Sequence, residues 1–196
     1  MWCNFSMTRK TPPTAAAADA GSPRRELWDL LTTHYPPGGA GQPRPASRPA
    51  AVKAAEPAPP GEGRLQFSAR MAHWIARHGV PAQALEPLQA ILDVGRTELA
   101  PLLGMDRATV RRYLVPHTGE DEPLLLPPHT SETVLRLAEL EALAQETFET
   151  GDGARKWLKT PHPMLDGETP LQAASTSYGA QRVREILVAI THGGVA

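Results

Sequence analysis

Cysteine and long apolar runs are scarce in this sequence. The single cysteine, Cys3, cannot form an internal disulfide or a multi-cysteine metal site, and such sparing use fits a reducing compartment. No segment approaches the roughly 18 apolar residues of a membrane-spanning helix, and residues 1–10 lack the apolar core of a signal peptide. We therefore expect a cytoplasmic protein that does not engage a membrane.

Groups that carry catalysis are also few. The seven histidines are dispersed, and His73 and His78 lie five residues apart, whereas a zinc-binding helix pairs histidines four apart. His162 stands between two prolines in a turn, which suits the surface or a partner contact better than a general base. The sequence has neither a glycine-rich phosphate loop nor a nucleophile elbow. We therefore expect no enzyme activity, no cofactor and no metal site.

The first third of the chain is rich in proline and small residues. By count, residues 1–64 hold 11 of the 21 prolines, 12 alanines and 6 glycines, too little apolar mass to offset the entropy of ordering them. We expect a mostly disordered arm with one short helix near residues 22–35, capped by Ser22 and begun by Pro23. Its apolar face is either transiently docked on its own protein, the favoured interpretation, or free to recruit a partner. That face comprises Leu27, Trp28, Leu30, Leu31 and Tyr35.

Charge is distributed unevenly, although the net charge is only −1. Residues 65–116 carry 6 basic and 4 acidic side chains, whereas residues 117–196 carry 6 and 12. A mildly basic segment followed by an acidic one suits a protein that touches a polyanion with one part and a different partner with the other.

Beyond residue 64 the apolar residues recur with the helical period, and no segment alternates as a strand does. We therefore predict an all-α fold in two domains, residues 65–128 and residues 129–196. Caps and breaks divide these domains into helices. The first predicted helix is capped by Ser68 and runs to His78, and the second has Pro87 in its first turn and stops near Gly95. A helix pair follows across residues 96–114, and a long helix runs from a cap at Thr130 or Ser131 to about Thr150. The remaining helices run from Ala154 to Lys159, from Pro170, and roughly from Gly179 to His192, with a turn at Pro161–Gly167.

The helix pair across residues 96–114 fits the helix-turn-helix pattern. Two helices that cross steeply need a small residue at their contact, which Ala100 supplies, and the tight turn needs a positive φ, which Gly104 permits. Pro101 departs from the pattern because it lacks a helical N–H, so the first helix should start late or bend. The pocket between the helices is predicted to contain Leu99, Leu103, Met105, Val110 and Tyr113.

The second helix of the pair leaves a basic face exposed. A helix of this type lies in the major groove of DNA with its N-terminal side chains on base edges. We predict base contacts from Arg107 and Arg111, and backbone contacts from Arg96, Thr109 and Arg112. Without an excess of basic residues one copy should bind weakly, so a homodimer on a two-fold operator is expected. The alternative is a helical hairpin whose arginines only solvate its surface.

A second pattern begins at about residue 146. It consists of Phe148, Asp152-Gly153-Ala154-Arg155-Lys156-Trp157-Leu158, Pro161, Pro163, Leu165-Asp166-Gly167, Thr169-Pro170-Leu171, Ala174, Gly179, Val183, Leu187, Ile190 and His192-Gly193. The Trp-Leu pair, the Leu…Gly…Thr-Pro-Leu turn and the final Gly…Val…Leu…Ile…Gly helix resemble the toxin-binding domain of the MbcA/ParS/Xre antitoxin family. Residues 175–178 depart from the family, which often has a threonine and an acidic residue there, and this departure should affect partner choice more than fold.

Physical reasoning assigns most of these residues to a core. Trp157 is a natural anchor because exposing so large a side chain costs about 2 kcal/mol, and Gly179 lets the last helix approach closely. Structural roles are predicted for Trp157, Leu158, Pro170, Leu171, Gly179, Val183 and Leu187. Partner contacts would then come from the exposed remainder, which is His162, Tyr178, Arg182, Thr191, His192, Gly193 and Gly194.

The resemblance implies a bacterial antitoxin of a type II toxin–antitoxin system. Members of the family bind a partner toxin, commonly a RES-domain protein thought to consume NAD, and cover its active-site cleft; here the C-terminal helix and tail would be the occluding element. The resemblance also implies that the protein represses its own operon. Two alternatives stay open: a transcription regulator whose C-terminal domain senses another ligand or dimerises, and a scaffold whose helix pair never meets DNA.

Overall fold

The computed structural model of the chain describes residues 22–36, 65–115, 123–148 and 150–193; the predicted disordered arm, apart from its short helix, lies outside them. Over these ranges the fold is all-α, as predicted, and extended pairing is limited to one isolated bridge between Pro81 and Leu125. None of the described helices is long and apolar enough to cross a bilayer. The helices are α1 (Pro23–Thr32), α2 (Ala69–His78), α3 (Leu85–Leu92), α4 (Arg96–Leu102), α5 (Arg107–Tyr113), α6 (Pro128–Phe148), α7 (Gly151–Leu158), α8 (Pro170–Ala173) and α9 (Ser177–Thr191), with 3₁₀ turns at Ala82–Ala84 and Pro163–Leu165.

Helix α1 is part of the hydrophobic core. It packs on α3, buries Leu27 and Leu31, and stacks Trp28 on Phe67 with ring centroids 5.2 Å apart. The predicted short helix is thus present, and it docks on its own protein, the favoured of the two interpretations. The packed core therefore begins at α1 rather than near Leu65, because one face of this short helix concentrates three large apolar side chains.

A buried ion pair joins α1 to α6. Arg24 on α1 donates a hydrogen bond to Glu141 on α6, whose side chain is fully buried. Burial raises the pKa of the Glu141 carboxyl, and the nearby Arg24 guanidinium opposes that rise. Removing a carboxylate from water is costly unless a cation and hydrogen bonds replace the water, so this pair ties the N-terminal helix to the centre of the fold.

Helices α2 and α3 end differently. The Ser68 hydroxyl caps α2 as predicted, and Gly79 ends it with a φ of 91°. Helix α3 ends at Leu92 because Asp93 takes the left-handed conformation, with a φ of 53°. The predicted stop near Gly95 is therefore a few residues late, and Gly95 itself is the N-cap of α4.

The long helix α6 lies at the centre, in contact with α2, α3, α7 and α9. It begins at Pro128, so the predicted cap at Thr130 or Ser131 is wrong; both residues are fully buried within its first turns. Proline suits the first helical position because its missing N–H would have no partner there. The Ser131 hydroxyl instead accepts a hydrogen bond from the Val80 N–H at 2.9 Å and donates one to the Leu126 carbonyl at 3.2 Å.

Helix α7 begins at Gly151 rather than at the predicted Ala154, because the Thr150 hydroxyl accepts a hydrogen bond from the Gly153 N–H at 3.1 Å. Leu158, which is 1% exposed, occupies the core position of this helix, while Trp157 is only partly buried. Consecutive helical residues point about 100° apart, so only one of the two can face α6. Trp157, predicted as a core anchor, therefore packs against the edge of the core rather than at its centre.

Helix α9 starts at Ser177, two residues before the predicted start, because Thr176 caps it by accepting a hydrogen bond from the Gly179 N–H at 3.0 Å. The predicted reason for Gly179 is confirmed: a Cβ there would lie 1.9 Å from the Ala173 carbonyl oxygen at the end of α8. Other residues predicted to be structural are buried, namely Ala100, Val110, Leu158, Pro170, Leu171, Val183 and Leu187.

Candidate binding surfaces

Helices α4 and α5 form the predicted helix-turn-helix. Ala100 and Val110 are each 1% exposed where the helices meet, and Gly104 has a φ of 65° in the turn. The turn is closed by a hydrogen bond from the Met105 N–H to the Ala100 carbonyl at 3.0 Å. A Cβ on Gly104 would meet nothing within 4 Å, so the turn selects this residue for its backbone conformation alone.

Pro101 does not delay the start of α4. The helix begins at Arg96, and its first turn is closed by Glu98, whose carboxylate accepts a hydrogen bond from the Gly95 N–H at 2.8 Å. Pro101 falls one residue before the last residue of α4, so it removes a single helical hydrogen bond close to the end. A late start, one of the two predicted outcomes, is therefore wrong.

Asp106 fixes the beginning of α5. Its carboxylate accepts hydrogen bonds from the Thr109 N–H at 2.9 Å and the Thr109 hydroxyl at 2.6 Å, and these bonds lower the pKa of Asp106. The Thr109 hydroxyl, predicted to contact the DNA backbone, therefore already uses its proton within the cap. A phosphate contact would require that hydroxyl to exchange partners.

The four arginines predicted to contact DNA are exposed on α4 and α5. Arg107 and Arg111 lie one turn apart on the same face of α5. Arg112 lies over the Tyr113 ring, with its guanidinium carbon 5.7 Å from the ring centroid. Across the described ranges, neither hydrogen bonds nor ion pairs engage Arg96, Arg107, Arg111 or Arg112, so their donors are available to a partner.

A groove of about 840 Å³ separates the helix-turn-helix from α8, and Arg107 lines it on one side and Gln172 on the other. Lys159, at the end of α7, bridges the two sides, since it pairs with the Asp93 carboxylate and donates to the Asp93 carbonyl at 2.9 Å. The hydrogen bond from Lys159 lowers the pKa of Asp93. The two domains are thus held side by side next to Arg107.

In the C-terminal domain, His162 organises the turn that follows α7. Its Nδ1 accepts a hydrogen bond from the Met164 N–H at 3.2 Å, and its carbonyl accepts one from the Gly167 N–H at 3.2 Å. Its ring also meets Trp157 edge-on, with centroids 6.0 Å apart. His162, predicted as a partner contact, is therefore engaged in holding this turn.

Arg182 on α9 is engaged in the same turn. It donates to the Asp166 carboxylate at 2.9 Å and to the Met164 carbonyl. Tyr178, one turn earlier on α9, is 87% exposed. Of the predicted contacts at this end of α9, Tyr178 presents its side chain openly, whereas Arg182 braces the turn.

The predicted contacts at the other end of α9 form a separate group. The Thr191 hydroxyl donates to the Leu187 carbonyl at 3.0 Å and lies 3.1 Å from the Thr147 hydroxyl, and His192 is exposed beside it. Gly193 has a φ of 74°, and Gly194 lies outside the described residues. Because a helix rises by about 1.5 Å per residue, Thr191 lies about 20 Å from Tyr178 along α9. The structure therefore does not bring the predicted contacts together in one patch.

Sequence reasoning missed a row of aromatic rings beside the turn. Phe148 and Trp157 are both partly buried, with centroids 5.6 Å apart, and the row continues to His162. Met164, next to His162, is 50% exposed. Aromatic residues make up only 5% of the sequence. The occurrence of Phe148 and Trp157 close together in so poor a background was the one sequence signal that could have indicated this row.

The fold and these surfaces define a helical protein that joins a helix-turn-helix to a second small domain. Family models match both parts: the antitoxin Xre-like helix-turn-helix domain over residues 72–139, and the antitoxin Xre/MbcA/ParS C-terminal toxin-binding domain over residues 143–193. The chain therefore belongs to the Xre/MbcA/ParS type of antitoxins. The first model extends into α6, beyond the predicted end of the helix-turn-helix domain at residue 128.

A curated relative carries the same family name. The protein called "Antitoxin Xre" from Pseudomonas putida is 31% identical to this chain over 88 residues. The matched segment covers 45% of this chain and 54% of the relative, so the chain spans about half the length of that relative.

Proposed function

We propose that this protein is a cytoplasmic antitoxin that binds and occludes a cognate toxin through residues 129–196 and represses its own operon through α4 and α5. The observation that carries the proposal is the match of residues 143–193 to a toxin-binding domain, on a segment that folds as the compact unit of α7, α8 and α9 beside α6. We further propose that the toxin is of the RES type, which acts on NAD.

The DNA-binding part of the proposal is supported by the arginines on α5. Arg107 and Arg111 would read base edges, and Arg96, Thr109 and Arg112 would hold phosphates. Bidentate contacts from arginine to guanine are among the strongest specific contacts in the major groove, and the α5 arginines form no hydrogen bonds or ion pairs within the described ranges. The proposal places two copies on a two-fold operator, because one short basic helix makes few phosphate contacts.

Growth rescue tests the toxin-binding part. The neighbouring reading frame is expressed alone and together with the full chain, and co-expression should restore growth. Termination after Tyr178, which removes most of α9, should abolish rescue. If the full chain neither rescues growth nor binds the product of the neighbouring gene, the proposed antitoxin function is rejected.

A matched pair of variants tests the division of labour. Arg107→Ala with Arg111→Ala should abolish binding to the DNA upstream of the coding sequence and leave rescue intact. Arg70→Ala with Arg77→Ala, which removes the same charge from exposed positions on α2, should change neither. Loss of rescue in the α5 variant would contradict the assignment of separate surfaces.

The groove of about 840 Å³ between the domains favours one alternative function, a transcription regulator that senses a small ligand. Its volume lies within the range of small-molecule sites, and domain boundaries are common places for such sites. That function predicts DNA binding that changes with a cellular metabolite and a chain that does not rescue growth. Growth rescue when the two genes are co-expressed, together with DNA binding by the purified chain that metabolite extracts do not change, would exclude this alternative.

A further inference from the structure

We propose that Met164 is the apolar anchor of the toxin interface, presented by a turn whose shape His162 and Arg182 hold. The inference rests on the proposed antitoxin function and deepens it, because it names the surface and the kind of partner. The partner surface would carry an apolar pocket wide enough for a methionine side chain.

The backbone of Met164 is fixed on both sides. Its N–H donates to His162 Nδ1 at 3.2 Å, and its carbonyl accepts a hydrogen bond from Arg182. The next residue, Leu165, is 2% exposed and holds the turn to the core, while Asp166 binds Arg182. The backbone of the turn is thus held on both sides of Met164, while Met164 itself is 50% exposed.

A single apolar side chain on a surface is ordinary and needs no explanation. Met164 differs because it adjoins the row of Phe148, Trp157 and His162, whose successive ring centroids lie 5.6 and 6.0 Å apart. A few residues carry most of the binding energy at protein interfaces, tryptophan, tyrosine and arginine most often, and methionine is enriched there as well. A backbone held rigid before binding lowers the entropy cost of presenting such a side chain. The exposed methionine and the partly buried rings therefore lie at the same edge of the domain, joined through His162.

The chemistry of this edge indicates an apolar contact rather than a charged one. The two charged residues that hold this turn, Arg182 and Asp166, form an ion pair at 2.9 Å and so neutralise each other. Methionine is flexible and polarisable, so it adapts to an irregular apolar pocket. The part of the affinity that Met164 supplies should consequently be the same at low and at high salt.

Affinity measurements test the anchor with the full chain and the purified product of the neighbouring gene. Met164→Ala should weaken binding by about tenfold or more, and Met164→Asp by a larger factor, because the carboxylate would be buried without a partner. Val115→Ala, which truncates a 53% exposed side chain after α5, is the matched control and should change affinity by less than about twofold. Equal affinities for the wild type and Met164→Asp would overturn the proposal.

Two other outcomes are also decisive. Val188, which is 45% exposed on α9 close to the tail, marks the competing surface; if Val188→Ala weakens binding and Met164→Ala does not, the tail face is the interface and the anchor is rejected. Should the wild-type chain fail to bind the neighbouring product at all, the antitoxin function fails and this inference fails with it.

A double-mutant cycle separates positioning by Arg182 from direct contact. If Arg182 acts by holding the turn, Arg182→Ala should weaken binding in the wild-type background and have little further effect when Met164 is already alanine. If Arg182 itself contacts the toxin, the two losses should add. Additive losses would remove Arg182 from the positioning role and leave Met164 as an independent contact.

Discussion

The two candidate surfaces differ in how the protein uses their polar side chains. On α4 and α5 four of the five predicted contact residues are arginines without hydrogen bonds or ion pairs within the described ranges, and only Thr109 takes part in the cap that Asp106 forms. In the C-terminal domain the predicted contacts His162, Arg182 and Thr191 are themselves part of the framework. Substitution of the α4 and α5 arginines should therefore change DNA binding alone. Substitution of the C-terminal contacts should change both toxin binding and the stability of the fold.

The glycines of the two regions differ in the same sense. Gly104 is required for its φ of 65° and has open space around it, whereas Gly179 is required because α8 leaves no room for a side chain. A backbone preference costs a limited amount, but a clash between helices must displace a whole element. The C-terminal domain should consequently be the less tolerant of the two.

The largest effect is expected from Gly179→Ala. The added Cβ would lie 1.9 Å from a backbone oxygen of Ala173, so α8 and α9 must separate. We expect a loss of about 4 kcal/mol in the free energy of unfolding, near the upper end for one substitution, measured by thermal or chemical denaturation. Gly167→Ala is the control, since a Cβ there meets nothing within 4 Å and only its φ of 83° opposes the change, which should cost roughly 1 to 2 kcal/mol. Similar losses in the free energy of unfolding for Gly179→Ala and Gly167→Ala would show that the close approach of α8 to Gly179 adds no cost of its own.

A smaller loss is expected from Arg24→Ala, which leaves the buried Glu141 without its cation. At neutral pH an unpaired buried carboxylate should cost about 3 kcal/mol. Because burial raises the pKa of Glu141, the folded chain binds a proton at a pH where the unfolded chain has released it. Stability should therefore increase as the pH falls between these two pKa values, and the cost of Arg24→Ala should shrink there.

Stability curves at several pH values provide the measurement. The charged groups near Glu141 are Arg24 and Arg155, and both oppose the rise of its pKa. Glu141→Gln resembles the protonated acid, so it should lack this pH dependence. A cost of Arg24→Ala that stays constant from neutral to acidic pH would contradict a buried, titrating carboxyl.

The parts of the molecule that repeat with helical period or follow a local motif were predictable from sequence. The helix-turn-helix residues Ala100, Gly104 and Val110 act through neighbours within about ten positions, and the sequence places them correctly. Gly179 was also interpreted correctly, since the residue it approaches, Ala173, lies close in the chain. Steric requirements between residues close in the chain can therefore be recognised from a single sequence.

Long-range partners left no such signature. Ser131 looks like a helix cap, but its hydroxyl bonds the N–H of Val80, which is 51 residues away. Glu141 pairs with Arg24 across 117 residues, which no local pattern encodes. The same reason applies to the candidate site: the contact between Arg182 and the turn at Met164 depends on how α9 packs, so the sequence could not separate presenting residues from contacting ones.

A third prediction concerns Gly104→Ala in the turn between α4 and α5. Because only the positive φ is at stake, the cost should be roughly 1 to 2 kcal/mol, well below that of Gly179→Ala. Gly104→Asn should cost less than Gly104→Ala, since asparagine tolerates the left-handed conformation. Thermal unfolding of both variants measures the difference, and a larger loss for asparagine would indicate an unrecognised steric contact in the turn.

The smallest expected effect separates the two regions most directly. Arg111→Ala removes an exposed guanidinium that has no partner within the described ranges, so the free energy of unfolding should stay within about 0.5 kcal/mol while DNA affinity falls. Arg182→Ala breaks an exposed ion pair and a bond to the turn, so it should cost up to about 1 kcal/mol and leave DNA affinity unchanged. Unfolding and DNA binding are measured on the same preparations. Equal losses in the free energy of unfolding for the two variants would mean that Arg182 contributes no more to stability than Arg111 does, which would contradict the difference between the two surfaces.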